Sequence, residues 1–486
     1  MDAPVQQGTG MIGHRMRWAI TGALGTSLCT TSIAATNTQS AAPTAQVAPW
    51  LVDPFPSTYT PGPRTDILFR HATVLDGAGG RIDDGDVLIH DGKIAAVGRN
   101  IANPGGVREI DARGRWITPG VIDVHTHDGT YVLPLTTIDR EAGDVAESSD
   151  VNVADTWIET AVNPQDMAFS RALKNGVTTV QVLPGSSPIF GGRAVTLKPV
   201  RATTVAAMKF PDAPHGFKMA CGENPKENGA STHRGPTSRQ GVMTYMRKAF
   251  TDAQEVLRDW VGPDGKPGPR KGPPPGRPAD MKREALAGIM AGDLRLNMHC
   301  YRADDLARMM EMAREFGFHV TAFHHATEAY KIPAILREAD TCAAVWGDWW
   351  GFKMEAQDAV RANAPMLDRA GVCVTMHSDS PASGQRLNIE AAKAAGAGRR
   401  MGIDVPPERM IRWITSNPAK VVGLSGRIGT LAPGYNADVV LWSGDPFSIY
   451  TKADLVLIDG AIASDRNAPP ASPPSDFELG RRAVQQ

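Results

Sequence analysis

The chain has 486 residues, enough to bury one large core with a satellite domain, and its 51 basic and 52 acidic residues leave a net charge of −1. That balance excludes the basic footprint of a nucleic-acid binder and a strongly charged polymer as partner. Five cysteines (Cys29, Cys221, Cys300, Cys342, Cys373) form no C-x-x-C pair, and four lie in or beside apolar runs, so no disulfide framework is expected.

In chain order, MIGHRMRWAITGALGTSLCTTSIAAT sets Arg15 and Arg17 before a mildly apolar segment and then the small residues Ser32, Ala34 and Ala35. That is the layout of a cleaved secretory signal over residues 1–35, with a periplasmic or secreted mature protein. The polar stretch TNTQSAAPTAQVAPW opens a linker, 36–63. No other segment has the roughly 18 consecutive apolar residues of a membrane span. Short Val/Ile/Leu strands broken by D-G, G-G and P-G turns occur near 66–98 and again near 427–464, so the flanks 64–118 and 427–465 share one strand-and-turn texture. A tail, 466–486, follows.

Between these pieces, over 119–426, strands alternate with helices, the texture of a parallel sheet with crossover helices. Eight strands are expected at 120–127, 176–184, 193–200, 216–223, 294–301, 319–326, 341–348 and 372–379, with helices in PQDMAFSRALKNG, ADDLARMMEMAREFG and LNIEAAKAAGAG. Eight such strands point to a TIM-type barrel. The stretch 261–280 is too rich in Pro and Gly for either element and is expected to be an inserted loop.

In such a barrel, chemistry collects at the carboxyl ends of the strands. Those ends carry His125 and His127 on the first, Glu223 on the fourth, His299 on the fifth, His324 or His325 on the sixth and Asp379 on the eighth. Strand alternation puts Asp123, His125 and His127 on one face, as it does Arg295, Asn297 and His299, and Cys373, Thr375, His377 and Asp379. His324 and His325 are adjacent, so only one is expected to face inward. Imidazoles and a carboxylate converging on one mouth suit a divalent metal. On the fourth strand, Lys218 shares its face with Ala220 and Gly222, while Glu223 stands at the strand end.

The stretches ITPGVIDVHTH, TTIDREAGDVAESSDVNVADTW, KMACGENPK, NMHCYRADD, FHHATEAYK, DWWGFK, MHSDSPASGQRLNIEAAKA and ITSNPAKVVGLSGRIGTLAPGYNADVVLWSGDPFS follow one another over residues 64–465. In them the chain resembles the amidohydrolase superfamily, most closely the secreted or periplasmic branch described as imidazolonepropionase-like. The resemblance implies an α/β fold, a TIM-type (β/α)8 barrel with a small β-sandwich built from both flanks. It also implies two divalent ions per chain, zinc foremost. Carried over residue by residue, His125 and His127 hold the more buried ion beside Asp379, and His299 and His325 hold the second, with His324 behind it or facing outward. Relatives bridge the ions with a carboxylated lysine or a glutamate. Glu223, which needs no modification, is preferred, and Lys218 is retained.

The implied reaction is hydrolysis of an amide, cyclic amide or dipeptide-like C–N bond in a small molecule, with Asp379 moving the proton from water to the leaving nitrogen. Candidate substrate contacts are Arg193 in the Gly-rich loop PGSSPIFGGRAVTLK, Arg234, Arg239 and Tyr245 after the fourth strand, and Trp349, Trp350 and Lys353 after the seventh. Two other readings stay open: a mononuclear deaminase acting on a ring C–N bond, and a barrel without catalysis serving as a binding subunit. Association into a homo-oligomer is also open.

Overall fold

Turn chemistry shapes the first part of the chain. Strands β1 (Ile67–Leu75), β2 (Arg81–His90), β3 (Lys93–Gly98), β4 (Arg108–Asp111) and β5 (Trp116–Pro119) are separated by short turns. Asp91 and Gly92, both at positive φ, close the β2–β3 hairpin as a D-G pair does. The computed structural model describes residues 47–260 and 279–468. The expected signal segment, the start of the linker, nearly all of the Pro/Gly-rich loop and most of the tail lie outside the described residues.

The barrel strands are β6 (Val121–Thr126), β7 (Val177–Val182), β8 (Phe190–Arg193), β9 (Val195–Leu197), β10 (Gly216–Ala220), β11 (Arg295–Cys300), β12 (Val320–His325), β13 (Cys342–Val345) and β14 (Val374–Met376). The chain ends in β15 (Val439–Trp442), β16 (Ala453–Ile458) and β17 (Ala461–Asp465). One hydrogen-bonded sheet runs β17-β16-β15-β5-β1-β2-β3, with β4 on β1, so strands from both flanks share the extra β-domain. Its apolar core includes Ile67, Phe69, Val87, Ile89, Ile117, Val439, Leu441 and Leu457.

The barrel departs from eight parallel strands at one stave. β6 and β7 are parallel, and β10 through β14 are parallel. The expected third strand instead runs the other way, β9 antiparallel to β7 and β8 antiparallel to β10. The reason is connection length. Residues 183–189 alone separate β7 from β8, whereas a parallel return needs a crossover of about a dozen residues or more. Between β14 and β6 the gap is bridged by backbone and side chain: Asp379 N donates to His125 O (2.8 Å) and Ser378 N to an Asp123 carboxylate oxygen (3.2 Å).

The expected helices form over Met167–Lys174, Ala303–Phe316 and Leu387–Arg400. In the second, Leu306, Met309, Met310 and Ala313 are buried, a helical stripe that ends at Gly317 in the left-handed region. Among the described residues no helix is long and apolar enough to cross a membrane.

Two expectations are corrected here. The second half of the linker is not free chain: Trp50 is buried, lies edge-on to Trp260 at 6.0 Å and donates its indole N–H to Asp293 (2.7 Å), while Tyr59 donates to Asp459 (2.9 Å). Four of the cysteines also pair. Disulfides Cys221–Cys300 and Cys342–Cys373 join residues at Cα separations of 5.3 and 4.5 Å. Neighbouring parallel staves bring together residues 79 and 31 positions apart, which no local cysteine spacing reveals.

The β-domain is tied to the barrel by charge. Lys198, almost wholly buried, sits 3.3 Å from Asp438 and 3.0 Å from Asp459.

Candidate metal centre

β6 carries the first two side chains to the mouth. His125 and His127 alternate with Val124 and Thr126, and their Nε2 atoms lie 3.1 and 3.2 Å from one Asp379 oxygen. Asp379 stands just beyond β14 at φ 54°, its carboxylate about one fifth exposed (21%). Lys218 rises from β10 to place Nζ 3.2 Å from His125 Nε2 and 2.9 Å from Pro184 O, and it is fully buried. His299, from β11, lies 4.4 Å ring to ring from His325, whose Nδ1 is 3.9 Å from Asp379.

The hydrogen bonds determine which nitrogens face the centre. Asn297 Oδ1 can only accept, so His324 donates from Nε2 (2.9 Å) and keeps a lone pair on Nδ1. His125 then donates its Nδ1–H to His324 Nδ1 (3.1 Å), which leaves His125 Nε2 as a lone pair aimed at the centre. His127 likewise donates Nδ1–H to Leu183 O (2.9 Å). Two imidazole lone pairs thus meet a carboxylate oxygen. Beside them, both ring nitrogens of His299 and Nδ1 of His325 are buried without a hydrogen-bond partner among the described residues. Burial, reinforced by neighbouring charges and rings, holds His125, His299, His324 and His325 well below the usual imidazole range, so they are neutral. Neutral donors crowded around a carboxylate, with no proton to share, fit a divalent cation.

Asp379 feels opposing influences: burial pushes its carboxyl up, and the adjoining His127 and His377 rings with Lys218 bring it below its ordinary value. Burial lowers Lys218 to about 8 and raises Asp123 to about 7.

The structure brings together His125, His127, Lys218, His299, His325 and Asp379 from the expected set, and leaves Glu223 apart. Glu223 Oε2 accepts the backbone N–H of Glu355 (3.2 Å) and Oε1 lies 3.4 Å from Lys353 Nζ. That placement favours Lys218 over the preferred Glu223, because the helix Glu223–Thr232 begins at Glu223 and turns its side chain toward the loop after β13.

His324 and His325 both face inward, against the expectation of one. His324 follows the strand and meets His125, while His325 (φ 70°) and Ala326 (φ 44°) leave the extended region and swing the second ring over the same mouth. Three contributors were not singled out from sequence: His377, which accepts from His325 N (3.2 Å), Asn297, and Tyr301, stacked on His325 at 5.0 Å. Strand alternation already placed Asn297 and His377 on the inward faces.

Of the substrate-contact expectations, Arg193 is corrected. Its guanidinium covers the Trp157 ring (4.7 Å) and donates to Trp50 O (2.8 Å), and its strand position pairs with Phe217 near the start of β10, away from the mouth. Arg234 is exposed and donates to Ser149 O (2.8 Å), and Tyr245 is exposed on the helix Arg239–Trp260. Arg239 is held by Asp305 (2.9 Å) and Glu355. Trp350 does reach the centre's surroundings, at the rim of a cleft that His325, Trp346 and Trp349 also line.

The Amidohydrolase family pattern matches residues 116–468. Amidohydrolase tasK of Hapsidospora irregularis is 30% identical over 403 residues, covering 78% of this chain but 40% of that protein's own length. An imidazolonepropionase of Ralstonia nicotianae is 26% identical over 416 residues, 79% of this chain and 93% of that protein. Among solved structures, an amidohydrolase from Thermotoga maritima MSB8 superposes with a TM-score of 0.73 at 32% identity, covering 82% of this chain and 100% of that one.

Proposed function

The chain belongs to the amidohydrolase family, and we propose that it hydrolyses an amide, cyclic amide or dipeptide-like C–N bond of a small molecule with the help of two divalent ions, zinc foremost. The supporting observation is the group of buried nitrogens without protein partners on His299 and His325, beside His125, His127 and Asp379. His125, His127 and Asp379 would hold one ion, and His299 and His325 the other. Lys218, once carboxylated, would be a further ligand beside His125. Bound ions lower the pKa of a water toward about 7 and polarise the scissile carbonyl.

The protein's own part is proton transfer and positioning. Asp379, ionised at neutral pH, accepts the proton of the attacking water and returns it to the leaving nitrogen. His324 and Asn297 hold His125 in the tautomer described above, and Leu183 O does the same for His127.

Metal analysis of the purified chain is expected to give two equivalents, with activity on dipeptides, N-acyl amino acids and lactams lost to a chelator and restored by added metal. A single equivalent would favour the mononuclear deaminase reading, and a fully loaded protein inert on the whole panel would sink the hydrolase reading.

We also propose a periplasmic or secreted location. The composition of residues 11–35 and the two cross-strand disulfides both support an oxidising compartment. Mass spectrometry of the mature protein is expected to find an amino terminus near Ala35; an intact first segment in exported protein would count against cleavage there.

A further inference from the structure

The loop after β13 brings a cation to the mouth that the proposed hydrolysis does not use. Lys353 Nζ lies 4.2 Å from the centre of the Tyr301 ring. That ring is stacked on His325 (5.0 Å, 15°) and edge-on to His299 (4.9 Å). The ammonium is therefore one aromatic ring removed from two of the metal-centre imidazoles, and its charge is among the influences that depress His299.

Its position is held from several sides. Nζ donates to Asn224 Oδ1 and pairs with Glu223 Oε1 at 3.4 Å, while Asn224 is itself anchored by donating to Ser186 Oγ (3.0 Å). The backbone two residues on is pinned as well, since Glu355 N donates to Glu223 Oε2 (3.2 Å). Glu355 in turn pairs with Arg239, which also holds Asp305. Its carboxylate packs so closely on Gly222, at φ 80°, that a Cβ there would lie 2.6 Å from Oε2. An ammonium has three donors, and the two protein partners leave one over.

Beside it stands an aromatic wall. Trp346 is stacked on His325 (4.4 Å) and Trp349 on Trp346 (4.7 Å, 12°), with Phe352 and Trp350 more than half exposed beyond them. A cation with a spare donor next to exposed ring faces matches a ligand that is anionic at one end and planar and apolar at the other.

We propose that Lys353 receives a carboxylate of the substrate, so that the amides hydrolysed are N-acyl amino acids or dipeptides with a free carboxylate and a planar apolar group. Glu223 is then a positioning residue for Lys353. This rests on the hydrolase reading above, and the test keeps the two apart.

The metal-loaded full chain is assayed with N-benzoylglycine and its carboxamide, N-benzoylglycinamide. Wild type is expected to favour the carboxylate by about 10- to 100-fold in kcat/KM, mostly through KM. Lys353→Gln should remove the preference and Lys353→Arg restore part of it. Glu223→Gln should raise KM for the carboxylate while leaving the metal content unchanged; loss of one metal equivalent would overturn its positioning role. Equal hydrolysis of both compounds, or a preference unaltered in Lys353→Gln, overturns the Lys353 assignment and leaves the hydrolase reading standing. If neither compound is hydrolysed, calorimetry with the same pair still decides the assignment: wild type must bind the carboxylate about tenfold tighter than the amide, and Lys353→Gln must not.

Discussion

Asp379→Asn is expected to lower kcat by about 10²- to 10⁴-fold, the range over which a positioned general base contributes. One oxygen of this carboxylate lies 3.1 and 3.2 Å from two imidazole nitrogens, and the backbone N–H of the same residue donates to His125 O, so the group has little freedom to move. Asparagine keeps an oxygen for coordination and the backbone tie but loses the ability to take up a proton. The expected signature is therefore a large fall in kcat with metal content preserved. The pH dependence carries a second check. Asp379 is held below its ordinary value of 3.8, and a base works only when ionised, so its activity is present above that pKa and lost as pH falls through it. An acid limb belonging to Asp379 is thus displaced below the ordinary carboxylate value. Turnover at the wild-type level in Asp379→Asn, with two metals bound, would remove the proton-transfer role.

How much of this was legible in the sequence depends on which physical rule each feature obeys. Strand alternation has a fixed period of two, so the inward placement of His125, His127, His299 and Asp379 could be read directly, and the structure gathers all four at one mouth. The same rule failed at His325, where two successive residues at positive φ end the alternation. Apolar patterning located the third stave but said nothing of its direction, which follows from a connection too short for a helix. Cys221 and Cys300 read as small core residues because pairing across neighbouring strands depends on register, a long-range property. Glu223 illustrates another limit. A carboxylate at a strand end is equally a metal ligand or the first residue of a helix, and only the position of Lys353 and Glu355 across the mouth separates the two.

Lys218→Ala is expected to cost at least about 100-fold in activity, more than the loss of an outer partner, together with one metal equivalent. The reason lies in the surroundings of the amine. Nζ is fully buried, and among the described residues its hydrogen-bond partners are Pro184 O and His125 Nε2 and the carboxylate that influences its charge is Asp379. An ammonium ion among several buried imidazoles is poorly compensated, and burial brings the group down to about 8. A neutral amine is thereby accessible near neutral pH to add carbon dioxide: the nitrogen lone pair forms an N–C bond, an N–H proton leaves to water, and a carbamate anion replaces the cation. That exchange turns the cation next to His125 into an anion that divalent ions can neutralise. In the Lys218→Ala cavity a small carboxylate such as acetate or propionate is expected to restore part of both metal content and activity, in proportion to its concentration. Intact-mass measurement under native conditions should find the added mass of carbon dioxide in wild type and not in the variant. A variant that keeps both metals without added carboxylate would return the bridging role to another residue and leave Lys218 as a structural amine.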